Sequence, residues 1–461
     1  MSLLYPYVRK KSNPIYGGMT SLFVERPPEK STGIEPSEDD MHSGLRFRLS
    51  AMMFLQYAIW GAWAPFLWRI LTTPKPAGGM GLSDPQTAWI FGLLSLACIL
   101  SPFTGGQIAD RWVPTQRFLG AVHLLGGVFL ILAAKATSFS SINWLMVGYC
   151  ILYAPTLALT NSLAFHHIGN QKDFGSIRVW GTIGWIFAEV LLGGWRIIGV
   201  PRGVIDCLML AGVFGLVMGV YCFFLPHTPP ARDKAEDPLA FRKAFVLLRN
   251  SNFLVFMLIA FVVTTELQFY YGPTERFLVS GLSIPGKFTP WIMPVAQVAE
   301  IVALAFLLPI ALRKWGVRKT LALGVIAWPL RYVVFAAAPY GPLAVMRPLV
   351  IASLTFHGLG YAFFFVASQI FVDMVATKDI RASAQSLLTL VTLGVGRWLG
   401  VQFTGYIMGK FDPAADVTNW TKVFLVPCAL TVTCAIAFLL FFKDPEKAGA
   451  TTTEPVAVTA K

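Results

Sequence analysis

The sequence predicts an all-α membrane protein of about twelve transmembrane helices in two pseudo-symmetric six-helix halves, and three observations predict it. Only 13% of the 461 residues are charged while 55% are hydrophobic, about half the roughly 25% charge of a water-facing domain. Twelve apolar runs reach or approach the ~20 residues needed to cross a bilayer as a helix. The longest internal polar connection, 227–252, divides these runs six and six.

In chain order, residues 1–44 are polar, with Lys10-Lys11, Pro27-Pro28 and an acidic stretch from Glu35 to Asp40. They read as a flexible cytoplasmic tail without a signal-peptide core, and Met41 is an alternative start. The N-terminal bundle, 45–226, holds runs at 49–71, 87–108, 118–137, 142–166, 178–199 and 204–226. After the 227–252 linker, the C-terminal bundle, 253–443, holds runs at 253–274, 288–312, 319–338, 342–372, 383–409 and 420–442, and 444–461 is a second tail. Basic residues crowd alternate connections, among them Arg46 and Arg48, Arg111 and Arg117, the segment Arg232 to Arg249, Arg313 to Lys319, and Lys443 and Lys447. By the positive-inside rule both termini face the cytoplasm, in a cytoplasmic (inner) membrane. This placement accounts for the net charge of +13 without a nucleic-acid partner. The six cysteines lie in apolar stretches without CxxC spacing and read as small core residues. A monomer in the bilayer is expected.

Polar groups inside these runs mark the function. Arg178, Thr182, Trp185 and Glu189 share one helix face, at i, i+4, i+7 and i+11. A charge at mid-membrane costs about 2.5–3.5 kcal/mol and is turned toward the bundle interior, so this face is expected to line a substrate path. The bland alternative is that Arg178 snorkels to the surface from a helix end. Gly181 and Gly184 would let a neighbouring helix approach closely. In the eighth run Gln297 and Glu300 share a face. A neutral carboxylic acid is far cheaper than a carboxylate in a dry cavity, and a nearby arginine reverses the preference. An Arg178–Glu300 pair that forms and breaks would therefore couple proton to substrate occupancy, or else be a structural salt bridge. Trp185, Tyr361 and Phe364 are candidates to stack on a flat ring. His357 and Tyr361 share a face in the tenth run. Arg331 and Arg397 are expected to pair between helices, Glu266 to pair with one of them, and Asn161 to bond a neighbouring helix. The scattered histidines (His42, His123, His166, His167, His227, His357) and the lack of a Gly-x-x-x-x-Gly-Lys loop argue against an enzyme, a bound metal or cofactor, and ATP-driven pumping.

The halves echo each other. Gly106-Gln-Ile-Ala-Asp110-Arg111 follows the second run and Pro309-Ile-Ala-Leu-Arg313-Lys314 the eighth, as in transporters built from repeats. Gly106-x-x-x-Asp110-Arg111 resembles the gating-loop signature of the major facilitator superfamily, although Trp112-Val-Pro replaces its usual continuation. Nearly the whole chain after residue 45 is similar to the nucleoside:proton symporter family of that superfamily. The stretches that carry the likeness are Gln56-Tyr57-x-x-Trp60-Gly61-x-Trp63, Tyr153-Ala-Pro155-Thr156, Ile177-Arg178-Val-Trp180-Gly181-Thr182, Glu266-Leu267-Gln268, Gln297-x-x-Glu300, Trp328-x-Leu330-Arg331 and Ile380-Arg381 to Gln385. The resemblance implies the major facilitator fold and proton-coupled nucleoside uptake. It places Arg178, Thr182, Gln268, Gln297 and Glu300 at polar positions of the family's nucleoside site. Tyr271 and His357 stand where the family has Asn and Tyr, which puts base preference in question. Two rivals are a symporter for a sugar or small glycoside and a membrane sensor without turnover.

Overall fold

A computed structural model describes residues 38–101, 112–168, 174–199, 204–230, 239–377, 379–411 and 418–443. Gly44–Lys461 forms one compact unit. Nine segments among the described residues are long and apolar enough to cross a membrane. One of them, Thr289–Tyr340, breaks at Gly316 (φ 71°, ψ 175°), a conformation open mainly to glycine, and so counts as two. With Glu38–Trp63 and the shorter Asp84–Leu100 the long helices among the described residues number twelve.

We label them α1 (Glu38–Trp63), α2 (Asp84–Leu100), α3 (Thr115–Ala133), α4 (Phe139–His167), α5 (Phe174–Ile198) and α6 (Asp206–Phe224). The second half comprises α7 (Ser251–Gly281), α8 (residues 289–315), α9 (residues 317–340), α10 (Leu343–Val375), α11 (Arg381–Phe411) and α12 (Trp420–Phe441). Polar residues start several of them. Ser83 forms a capping box with Gln86, Ser138 with Ser141, and Asn250 accepts from the Asn252 and Phe253 amides. Each such cap satisfies helix N–H groups that otherwise lack a partner.

Three boundaries differ from expectation. The first run, 49–71, is interrupted after Trp63 by a turn at Ala64-Pro65-Phe66, and a short helix Leu67–Thr72 follows. Pro65 cannot donate the hydrogen bond that would continue α1. That helix also reaches back to Glu38, into the stretch expected as tail. The polar linker contains a 3₁₀ helix, Ala240–Arg249, packed against the Arg381–Thr389 end of α11. A π-helical turn ends α7 at Phe277–Gly281, and π-helical segments interrupt α8, α10 and α11 at Ala303–Leu307, Tyr361–Val366 and Leu390–Gly396.

The packing repeats after six helices. In the first half α3 lies on α6, and in the second α9 lies on α12. The halves meet along two seams, α2 on α11 and α5 on α8, which exchange under the same six-helix shift. Glycines set their closeness. A Cβ on Gly405 of α11 would run into Ala88 of α2, and one on Gly193 of α5 would run into the Trp291 indole of α8. Outward, side chains such as Ile151, Phe306, Leu440 and Phe441 are exposed, as suits surfaces facing lipid. All six cysteines are free, and all but Cys98 are buried.

Candidate functional site

The first wall of the site is the polar face of α5. Its glycines act as expected: a Cβ on Gly184 would collide with the Phe54 backbone of α1, and one on Gly181 would meet the Tyr57 ring at 2.7 Å. This close approach places Tyr57 beneath Arg178, whose guanidinium lies 3.9 Å from the ring centroid. Arg178 is half-buried. Trp185 meets Trp60 edge-on at 5.5 Å, and its Nε1–H donates to Glu189 Oε1 at 2.9 Å. Glu189 is fully buried with Oε2 unpartnered. Thr182 is half-buried on the same face.

The second wall comes from four helices. Gln297 of α8 is buried and Glu300 half-buried. Gly358 of α10 presses on the Ala299–Glu300 backbone, where any Cβ would collide, so α10 fixes the height of the carboxyl. His357 of α10 is fully buried in an aromatic box. It stacks on Tyr270 (4.3 Å) and Tyr361 (6.1 Å) and meets Tyr271 and Trp328 edge-on (5.6 and 5.7 Å). Arg331 of α9 donates to His357 Nδ1 at 3.2 Å and to the Tyr332 hydroxyl at 2.8 Å. The Tyr271 hydroxyl lies 3.5 Å from His357 Nε2. Gln268 of α7 is buried and donates back to the Thr264 carbonyl at 3.1 Å.

The walls meet through Tyr361, which lies within electrostatic range of Arg178, Tyr57, Glu300 and Arg397. Glu300 is likewise within range of Arg178. Among the described residues no direct ion pair joins the two. Arg397 of α11 crosses to α1, its guanidinium 4.7 Å from the Trp60 ring centroid.

Other expectations fare differently. Phe364 is fully buried against Phe256 and Phe365. Arg331 does bond between helices, but to His357, so the expected Glu266 pair is not formed and both Glu266 carboxyl oxygens lack a partner. Arg397 faces a ring instead of a carboxylate. Asn161 Oδ1 is unpartnered. Gly106, Asp110 and Arg111 lie outside the described residues. Sequence reasoning assigned no site role to Tyr57 or Tyr270. Tyr57 and Trp60 sit three residues apart in a quoted motif, which was the available signal.

A second cluster ties the halves together at the pole away from the linker. Glu275, near the far end of α7, is fully buried and pairs with Arg196 of α5 at 2.9 Å and Arg69 at 3.0 Å. Arg196 also pairs with Asp206 of α6 at 2.6 Å, and Thr289 donates to Glu275 at 2.7 Å. Beside it Arg276 bonds Asp84 at 3.3 Å, and Asp84 accepts from Trp68 at 2.9 Å.

Twelve helices in two six-helix halves, a polar site lined by both, and a pole closed by charges shared between the halves define a solute carrier of the major facilitator class. The chain belongs to the Nucleoside H+ symporter family, whose model matches residues 43–447. It is 34% identical to YegT of Escherichia coli (strain K12), provisionally named a nucleoside transporter, over 87% of this chain and 94% of that protein. It is 29% identical to the xanthosine permease of the same strain, over 87% and 98%. Among solved structures it is similar to the nucleoside transporter NupG, with a TM-score of 0.75 at 25% identity, covering 87% of this chain and 99% of that one. The name NupG is borne by a nucleoside permease of E. coli (strain K12), which is 26% identical over 87% of this chain and 96% of that protein. The protein is a multi-pass membrane transporter and not an enzyme.

Proposed function

We propose that this protein takes up nucleosides together with protons across the cytoplasmic membrane by alternating access, as a monomer with both termini in the cytoplasm. The observation that carries the reading is that Arg178 on one half and Glu300 on the other approach a shared tyrosine, Tyr361, without pairing directly. The bundles 45–226 and 253–443 would rock about this point. The family supports nucleoside and proton as the two substrates.

Ribose hydroxyls both donate and accept, which suits Arg178, Thr182, Gln268, Gln297 and Glu300. The base needs a flat apolar face and an edge that bonds. Trp185 and Tyr361 supply faces, and Tyr271 with His357 an edge. Glu300 takes a proton when Arg178 is engaged by substrate, and gives it up when Arg178 is free to attract the carboxylate. The basic connections orient the linker side inward, so the Glu275 cluster closes the outer pole. The loop with Gly106, Asp110 and Arg111 is assigned the complementary latch on the inner side.

Uptake of labelled uridine, adenosine and a sugar into cells lacking their own carriers, with and without a protonophore, tests this. A proton entering down about 100 mV supplies about 2.3 kcal/mol, enough for roughly fiftyfold accumulation. Nucleoside accumulation that collapses with protonophore is expected. Uptake indifferent to it, or a base-free sugar competing as well as uridine, would contradict the proposal.

A further inference from the structure

We infer that Arg331 fixes the tautomer of His357 and thereby makes the Tyr271 hydroxyl a hydrogen-bond donor to the bound base, selecting nucleosides with a carbonyl where others carry an amino group. The inference rests on the nucleoside reading above.

The argument is one of donors and acceptors. A guanidinium has no lone pair to offer, so the 3.2 Å contact from Arg331 to His357 Nδ1 requires that nitrogen to accept. The proton of a neutral imidazole then sits on Nε2. Nε2 in turn faces the Tyr271 oxygen at 3.5 Å, so His357 donates and Tyr271 accepts. The imidazole is packed in this orientation, with Tyr270 stacked on it at 4.3 Å, Tyr361 near-parallel at 6.1 Å, and Tyr271 and Trp328 edge-on. Arg331 is itself fully buried and held by the Tyr332 hydroxyl, which donates onward to the Glu266 carbonyl.

With its oxygen engaged as acceptor, Tyr271 keeps its own O–H proton for another partner. The residue is half-exposed and lies within electrostatic range of Glu300, Tyr361 and Arg397, which places it at the site shared by both walls. The group it meets there must accept. The 4-oxo pyrimidine and 6-oxo purine nucleosides (uridine, inosine) offer a carbonyl oxygen at that edge. The corresponding amino compounds (cytidine, adenosine) present N–H groups instead and would leave two donors facing each other. Arg331 touches no substrate in this arrangement and is a positioning residue.

The test is competition of unlabelled inosine against adenosine, and uridine against cytidine, for carrier-mediated uptake of labelled uridine in whole cells. A neutral hydrogen bond supports roughly tenfold discrimination, and the wild type is expected to favour the oxo member of each pair by about that factor. Tyr271→Phe, which removes only the hydroxyl, should bring both ratios toward one, whatever its overall rate. Arg331→Met should do the same by freeing the imidazole to change tautomer. Arg331→Lys, which still donates to Nδ1, should keep the preference, which a merely structural role for the arginine would not require. If Arg331→Met does not assemble, the Tyr271→Phe ratios decide. Wild-type ratios near one, or ratios unmoved in Tyr271→Phe, would overturn the inference. Failure of every nucleoside to enter is a distinct result, and it would overturn the nucleoside reading itself.

Discussion

Glu300→Gln is expected to exchange labelled uridine across the membrane at a rate near that of the wild type, yet to lose accumulation above the outside concentration. Glutamine mimics the neutral acid: it keeps the shape and an acceptor oxygen, but it can neither release a proton nor attract Arg178 as an anion. A carrier frozen in the loaded charge state still binds and rocks with substrate. Without proton movement, the roughly fiftyfold gradient that one proton can sustain at about 100 mV falls to one. Counterflow and net uptake, measured side by side in the same cells, separate the two quantities. A variant that still concentrates uridine fully would remove Glu300 from the coupling step.

The second large effect is expected at the outer pole. Glu275 is fully buried between Arg196 and Arg69, which belong to the other half. Taking one partner from a buried pair costs about 3–5 kcal/mol when the remaining charge is left dry, and Asp206 on Arg196 together with the 21% exposure of the Arg69 side chain puts this case at the lower end. That cost falls only on the closed pole, since in an open one water reaches the arginines. Glu275→Gln should therefore shift the equilibrium toward outer opening by about 3 kcal/mol, roughly a hundredfold. Phe66, fully buried under the Arg196 guanidinium at 5.2 Å from the ring centroid, is a suitable reporter. In a background lacking the native cysteines, Phe66→Cys should react faster with an impermeant maleimide when combined with Glu275→Gln. Equal rates with and without Glu275→Gln would show that the cluster does not hold the pole shut.

The helical frame was legible because lipid demands long apolar runs, and those runs dominate this composition. The Arg178 face was legible for the same reason: periodicity brings Arg178, Thr182, Trp185 and Glu189 together, and Gly181 and Gly184 announce a close neighbour. Partners across the fold were not legible. Glu275 and Arg196 stand 79 residues apart, and no local pattern says which arginine a terminal glutamate will find. Arg276 is buried on Asp84, 192 residues away in the chain. Arg331 was read as seeking a carboxylate, but it donates to the Tyr332 hydroxyl and to a histidine nitrogen. Phe364 illustrates the limit for aromatic residues: with 36 phenylalanines in the chain, composition cannot tell a ring that meets substrate from one that fills the core. Pro65 gave a readable signal that was passed over, since an apolar run of suitable length concealed the break in α1.

Proton movement evoked by substrate tests the central claim most directly. With purified protein in vesicles containing a pH-sensitive dye and no imposed gradient, an inward uridine gradient should acidify the lumen for the wild type and leave it unchanged for Glu300→Gln. Uridine entry without acidification in the wild type, or equal acidification in both proteins, would contradict a carrier whose proton rides on Glu300 opposite Arg178.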